Sequence, residues 1–220
     1  MKRITIVLIL SLILVLFSAC QKAEVKMSEL PDFVDRFVTA FYENRDVGTD
    51  HDVENFLQGE NLTTYLSEKI RLHRFLCERV NLGKTNYSIS TKVNAPEELD
   101  KETYYVSVAI NLKYNYLDLP SEKSGRGTLL ELIISTKGGK FSIIDAYEAL
   151  DYYDEAMIMA FENGEEFNAA DEMAEGFSFD LKERFLTGHS VRSFDKSKML
   201  TVVKDMEDNF ISKYGESKIY

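Results

Sequence analysis

Cysteine is scarce in this sequence: of 220 residues only Cys20 and Cys77 carry a thiol, and only three histidines accompany them. His73 and Cys77 stand four apart, which is metal-ligand spacing on a helix, but two ligands do not make a zinc site and no second Cys/His pair is present. With only three prolines, and with neither repeats nor low-complexity tracts, a fibrous or stalk-like chain is excluded. Basic residues are outnumbered 26 to 37, for a formal charge of −11. So acidic a chain is a poor nucleic-acid binder and is repelled by anionic lipid heads. Long hydrophobic runs are missing too. The longest, Ile4–Phe17, has fourteen residues, short of the roughly 20 that cross a bilayer as a helix.

That short run has a specific context. Lys2 and Arg3 precede it, the small pair Ser18-Ala19 follows, and Cys20 comes next. A basic start, a short apolar stretch and small residues before a cleavage point describe a secretory signal. With the cysteine added, the stretch resembles a bacterial lipobox, although Phe17 stands where leucine is usual. The resemblance implies cleavage before Cys20, lipidation of its sulfur with a diacylglyceryl group, a palmitate-type anchor, and a place on the extracytoplasmic face of the cell membrane. Two acyl chains suffice for stable anchoring where one does not. The competing readings are an uncleaved anchor and an ordinary signal peptide. The expected division is 1–19 signal peptide, 20–27 polar tether, 28–155 folded domain and 156–220 acidic helical extension.

Within the domain, residues 28–45 repeat Leu30, Val34, Phe37 and Phe41 at steps of three or four, the stripe of an amphipathic helix. Ser28 is the expected cap, and Pro31 is harmless in the first turn. A loop, DVGTDHD, and a short helix, VENFLQ, lead to a longer helix over 61–83, capped by Asn61, stopped by Gly83 and striped by Leu62, Leu66, Ile70, His73, Cys77 and Val80. The period then changes to two. Residues 86–93 alternate, the turn-prone NAPEELDKE follows, and 104–116 puts Tyr104, Val106, Val108, Ile110, Leu112, Tyr114 and Tyr116 on one face of a long strand. Further strands are expected over 127–135 and 141–145, joined by a hairpin at Gly138-Gly139. Helices followed by an antiparallel meander define an α+β domain with N-terminal helices packed on a curved antiparallel sheet and a helical C-terminal extension.

This order of elements resembles the nuclear-transport-factor-2-like fold, a cone-shaped sheet cupped around helices, and the resemblance implies a pocket in the cup. Residues 111–134 and 143–156, with Asp145-Ala-Tyr147 and the Tyr153-Asp154-Glu155 cluster, resemble the N-terminal accessory domain of secreted Gram-positive proteins classed as amidases. In those proteins a catalytic domain follows, opening with a helix before a cysteine nucleophile, and residues 194–214 resemble that helix. Here no cysteine lies beyond Cys77, and His189 is the only histidine in the last third. A thiol hydrolase needs a thiolate and a base within hydrogen-bond reach, so no amide hydrolysis is expected.

Bland readings outweigh sharp ones for most polar residues. Cys77 is expected to be a core thiol. His51, among solvated acids in TDHD, lacks a nucleophile or orienting partner. The stretch 151–180, with ten acids and no Lys or Arg, lacks the spaced D-x-D-x-D-G of a calcium loop and reads as a solvated face. The candidate pocket-lining residues are His73, Tyr87, Tyr104, Tyr114 and Tyr116. No catalytic residue, metal or cofactor is assigned. The inward face of the long strand carries no acid or base, which argues against catalysis. The expected function is lipid-anchored binding or scaffolding at the cell surface, with a small ligand in the cup or a protein partner on the C-terminal helix, and no nucleic acid. The alternatives are a small-molecule enzyme using the cup, with His73 as base, and a structural subunit of a cell-envelope complex.

Overall fold

The computed structural model describes residues 25–79, 83–117, 119–148 and 181–188, together with 204, 205, 208, 211 and 212. Cys20, the signal segment and the acidic run 151–180 lie outside these. So does most of the final helix expected over 194–215, of which the five described residues are helical.

The order is helix α1 (Leu30–Asp46), α2 (Glu60–Arg79), strands β1 (Lys84–Val93), β2 (Glu97–Asp100), β3 (Thr103–Tyr116), β4 (Leu119–Ser135) and β5 (Ser142–Glu148), then a short helix α3 (Leu181–Leu186). The fold is the expected α+β one, two N-terminal helices on an antiparallel sheet. Two caps differ from expectation. Ser28 lies in a short 3-10 turn, and Glu29 holds the N-cap position of α1 without a side-chain hydrogen bond. At α2, Asn61 is already inside the helix, and the Thr63 N–H and hydroxyl both turn back to the Gly59 carbonyl. Cys77 falls on α2, with its side chain outside the described residues.

The sheet runs β1-β3-β4-β5, all antiparallel, with β2 also paired to β3. The stretch expected to be only a turn, 94–102, thus contains a strand. β1 and β2 lie along one edge of β3, and Asn94 still donates its N–H to Ser107. The interruption falls at Ala95-Pro96, since proline has no N–H for the ladder. A tight turn then enters β3, closed by the Glu102 N–H on Asp100 Oδ1 at 2.9 Å. That bond, followed by Thr103, lowers the Asp100 pKa. The register shifts at Thr85/Ser88, Tyr114/Tyr116 and Ile133/Ile134. Each is a bulge-type irregularity, the device that bends a sheet.

The alternation read from 104–116 is real. Val106, Val108, Ile110 and Leu112 are buried beneath Phe37, Val38 and Phe41 of α1 and Leu62, Tyr65 and Leu66 of α2 in one core. One end of the core is aromatic. Phe33 meets Phe56 and Phe141 at 5.6 and 5.3 Å between ring centroids, and Phe37 meets Phe56 at 5.8 Å. On the other side of the sheet, Leu181 of α3 is fully buried, and its N–H donates to Glu131 Oε2 at 3.3 Å. Glu131 also accepts from Tyr105, so a carboxylate on β4 holds the first turn of α3. The C-terminal extension therefore docks on its own domain at this point.

Candidate functional site

The end of α1 is held by local chemistry. The Val47 and Gly48 N–H groups both return to the Glu43 carbonyl, and Gly48 has φ +81°, the left-handed exit that glycine permits. Asn44 clamps the loop that follows. Its Nδ2 donates to the His51 carbonyl at 2.7 Å, and its Oδ1 accepts from the His51 N–H at 2.7 Å. Arg74 of α2 donates to the carbonyls of Asn44 and Thr49. His51 itself is half-exposed with Nε2 2.7 Å from Glu43 Oε2, in keeping with a solvated loop. These contacts fix the last turn of α1, and with it Arg45 and Asp46.

Those two residues start a buried ionic network. Arg45 Nε donates to Asp46 Oδ1 at 2.9 Å, and its Nη1 donates to Glu148 Oε2 at 2.9 Å. Its guanidinium lies 4.4 Å from the Tyr42 ring centroid. Around Asp46 Oδ1 stand Lys84 Nζ at 3.1 Å and His73 Nε2 at 3.2 Å, while the Tyr87 hydroxyl donates to Oδ2 at 2.6 Å. Around Glu148 stand Arg126 Nη2, 3.0 Å from Oε1, and Lys69 Nζ, 3.5 Å from Oε2. Asp46, Glu148 and Arg45 are almost completely buried. Lys84 and Lys69 are about nine-tenths so, and Arg126 and His73 keep a third of their side chains in solvent.

The ionisation states follow. Burial alone would raise the Asp46 pKa, but the His73 contact and then the Arg45 and Lys84 charges draw it far below the usual carboxylate range. For Glu148, burial again opposes, and Arg45, Lys69 and Arg126 bring it down to about 2. Burial, only partly offset by Asp46, lowers His73. Burial and then the Asp46 charge push Tyr87 well up, and burial with the Tyr116 hydroxyl puts Tyr114 at about 12. At neutral pH Asp46 and Glu148 are therefore ionised and the His73 imidazole is neutral.

Of the sequence candidates, His73, Tyr87, Tyr114 and Tyr116 come together here. The Tyr87 and Tyr114 rings stack at 6.3 Å, Tyr114 meets Tyr116 edge-on at 5.3 Å, and Lys84 Nζ lies 5.1 Å from the Tyr114 ring centroid. Tyr104 does not join them. It is half-buried at the opposite end of β3, paired with Ile134 and Glu98.

No protein-family model matches the sequence, and no curated protein matches it. Among solved structures, the intermembrane space region of the chloroplast protein ARC6 is similar at 11% identity and a TM-score of 0.37, over 57% of this chain and 97% of that one.

Sequence reading missed the charged members, Arg45, Asp46, Lys69, Lys84, Arg126 and Glu148. A signal existed for four of them. Arg45 continues the α1 stripe four residues after Phe41, and Lys69 lies three after Leu66. Glu148 and Arg126 are in phase with buried Ala146 and Leu130 of their strands. A charge in phase with an apolar face is a charge that the fold will bury. Lys84 lies beyond the β1 bulge, where the phase is lost. Among the described residues, no group of three metal-ligating side chains occurs.

Proposed function

We propose that this protein is a lipid-anchored binding protein of the extracytoplasmic membrane face, with a nuclear-transport-factor-2-like domain that receives a small ligand at the polar end of its cup. One observation carries the binding part: stacked tyrosines and a buried ionic network converge at one end of the sheet. Asp46 and Glu148 are each saturated with cations, and their lowered pKa values make them poor proton acceptors. Such a site recognises better than it reacts. The anchor rests on Lys2, Arg3, the short apolar run and Cys20.

Cys20→Ala is expected to move the protein from the detergent phase into the medium, or to leave it as an unprocessed precursor, in a phase-partition experiment on whole cells. Soluble, unmodified wild-type protein carrying a Cys20–Cys77 disulfide would rule the anchor out. Purified wild-type protein is expected to leave peptidoglycan and model amides intact.

One contact favours a second reading, an enzyme with His73 as base. His73 Nε2 lies 3.2 Å from the Asp46 carboxylate, and its lowered pKa leaves the imidazole neutral at pH 7. Turnover of any small substrate that vanishes in His73→Ala, with folding retained, would promote it above binding.

A further inference from the structure

The charges at the site are unevenly shared. Arg45, Lys69, Lys84 and Arg126 crowd around two carboxylates, Asp46 and Glu148, inside a protein whose formal charge is −11. Burying an ammonium group without a full counter-charge is costly, and here Lys84 shares one carboxylate with Arg45 and His73. The hydrogen bonds do not balance. Arg126 Nε and Thr128 Oγ1 are shut off from solvent without a hydrogen-bond partner. They sit two residues apart on β4, opposite Leu112 and Ile110, so both belong to the face that lines the cup. A buried donor without a partner is uncommon in native proteins and points to a group that completes it.

We infer that the cup takes an oxyanion: the phosphate or carboxylate of a small ligand seats on Arg126 and Lys84, with the ligand body against Tyr87, Tyr114 and Tyr116. This deepens the binding reading and rests on it. Arg126 suits the role, because Glu148 occupies only one edge of its guanidinium and the side chain still reaches solvent. A planar fork with free N–H groups matches an oxyanion, and a second cation adds charge without demanding geometry. The tyrosine hydroxyls and ring faces then offer hydrogen bonds and a flat wall. The positive site within an acidic protein also focuses the field that draws an anion in.

The test is a titration of the full chain in detergent with inorganic phosphate and with acetate, ionic strength held constant by sodium chloride, read by calorimetry and by thermal unfolding. A saturable response to either anion is expected; phosphate in the lead marks a phosphoryl ligand, and acetate in the lead a carboxylate one. Arg126→Gln is expected to weaken it about 10- to 100-fold, the loss of a charge-assisted hydrogen bond. Lys84→Gln should weaken it less, and Arg126→Lys should restore part of it. Circular dichroism guards against misfolding. No saturable response, or one unchanged in Arg126→Gln, overturns the inference. Native mass spectrometry separates this from failure of the binding reading. A neutral molecule bound to the wild type and lost in Tyr87→Ala would end the oxyanion inference and leave the binding reading standing. Neither anion nor neutral ligand would end both.

Discussion

Arg45→Ala is expected to cost about 3–5 kcal/mol of folding stability, measured by urea denaturation at pH 7, because it strips the shared partner from two buried carboxylates. Arg45 bonds both Asp46 and Glu148 at 2.9 Å, and all three side chains are almost wholly removed from water. The surviving cations offset the loss unevenly. Glu148 keeps Lys69 and Arg126, and Asp46 keeps Lys84 and His73. A loss below about 1 kcal/mol would mean that the network is screened like surface ion pairs, and would remove the basis for reading it as a built site.

The same network sets the acid limb of stability. Both carboxyls have folded pKa values below their unfolded ones. Between the two values the unfolded chain binds more protons, so stability rises with pH there. Their contribution is complete above the unfolded range, about 4, and is lost as pH falls toward about 2 for Glu148 and lower for Asp46. His73 acts in the same direction at higher pH. Its folded pKa lies below 6.5, so its share is present above that value and is lost on acidification through the folded one. In Arg45→Ala the carboxyl pKa values move up toward the unfolded ones, and the acid loss between about pH 4 and 2 shrinks.

Phe37→Ala is the second large effect, about 3–5 kcal/mol, from the lost transfer free energy and the cavity left behind. Phe37 is 1% exposed and touches Phe41 and Phe56 at 5.9 and 5.8 Å between centroids, in the aromatic end of the core. The matched change at the polar end, Tyr116→Ala, removes a half-buried ring that meets Tyr114 edge-on. It is expected to cost about 1.5 kcal/mol or less. The two denaturation curves together measure how differently the two ends of the sheet are packed. Equal losses would mean that the tyrosine end is packed as core, leaving no room for a ligand.

The tyrosines show why part of the site was legible. Tyr114 shares the face of Val106, Val108, Ile110 and Leu112, so the alternation of the sequence determined that it points inward, while Tyr116 lies past the register shift and is half-buried. The same periodicity determined both helices, the long strand, the hairpin at Gly138-Gly139 with its φ of +80° and +75°, and hence the α+β class. Apolar repeats record which face meets the core, and burial of that face drives the fold.

The charged half of the site was decided by tertiary structure. Asp46 lies one residue past the helix end expected at 45, Arg126 one before the strand start expected at 127, Lys84 two before 86, and Glu148 three past 145. Asp46 and Lys84 stand where apolar periodicity runs out, and Arg126 and Glu148 stand in phase with it but beyond its last apolar residues, because an element can continue in register while its partner surface ceases to be oil. Backbone hydrogen bonds to neighbouring strands, such as Leu130 opposite Glu148, extend strands beyond their hydrophobic signal. Long-range pairing then decides which element ends meet. Sequence periodicity reports a residue's face; only the folded domain brings Arg45 to Glu148, 103 positions away, and gathers six charges into one buried network.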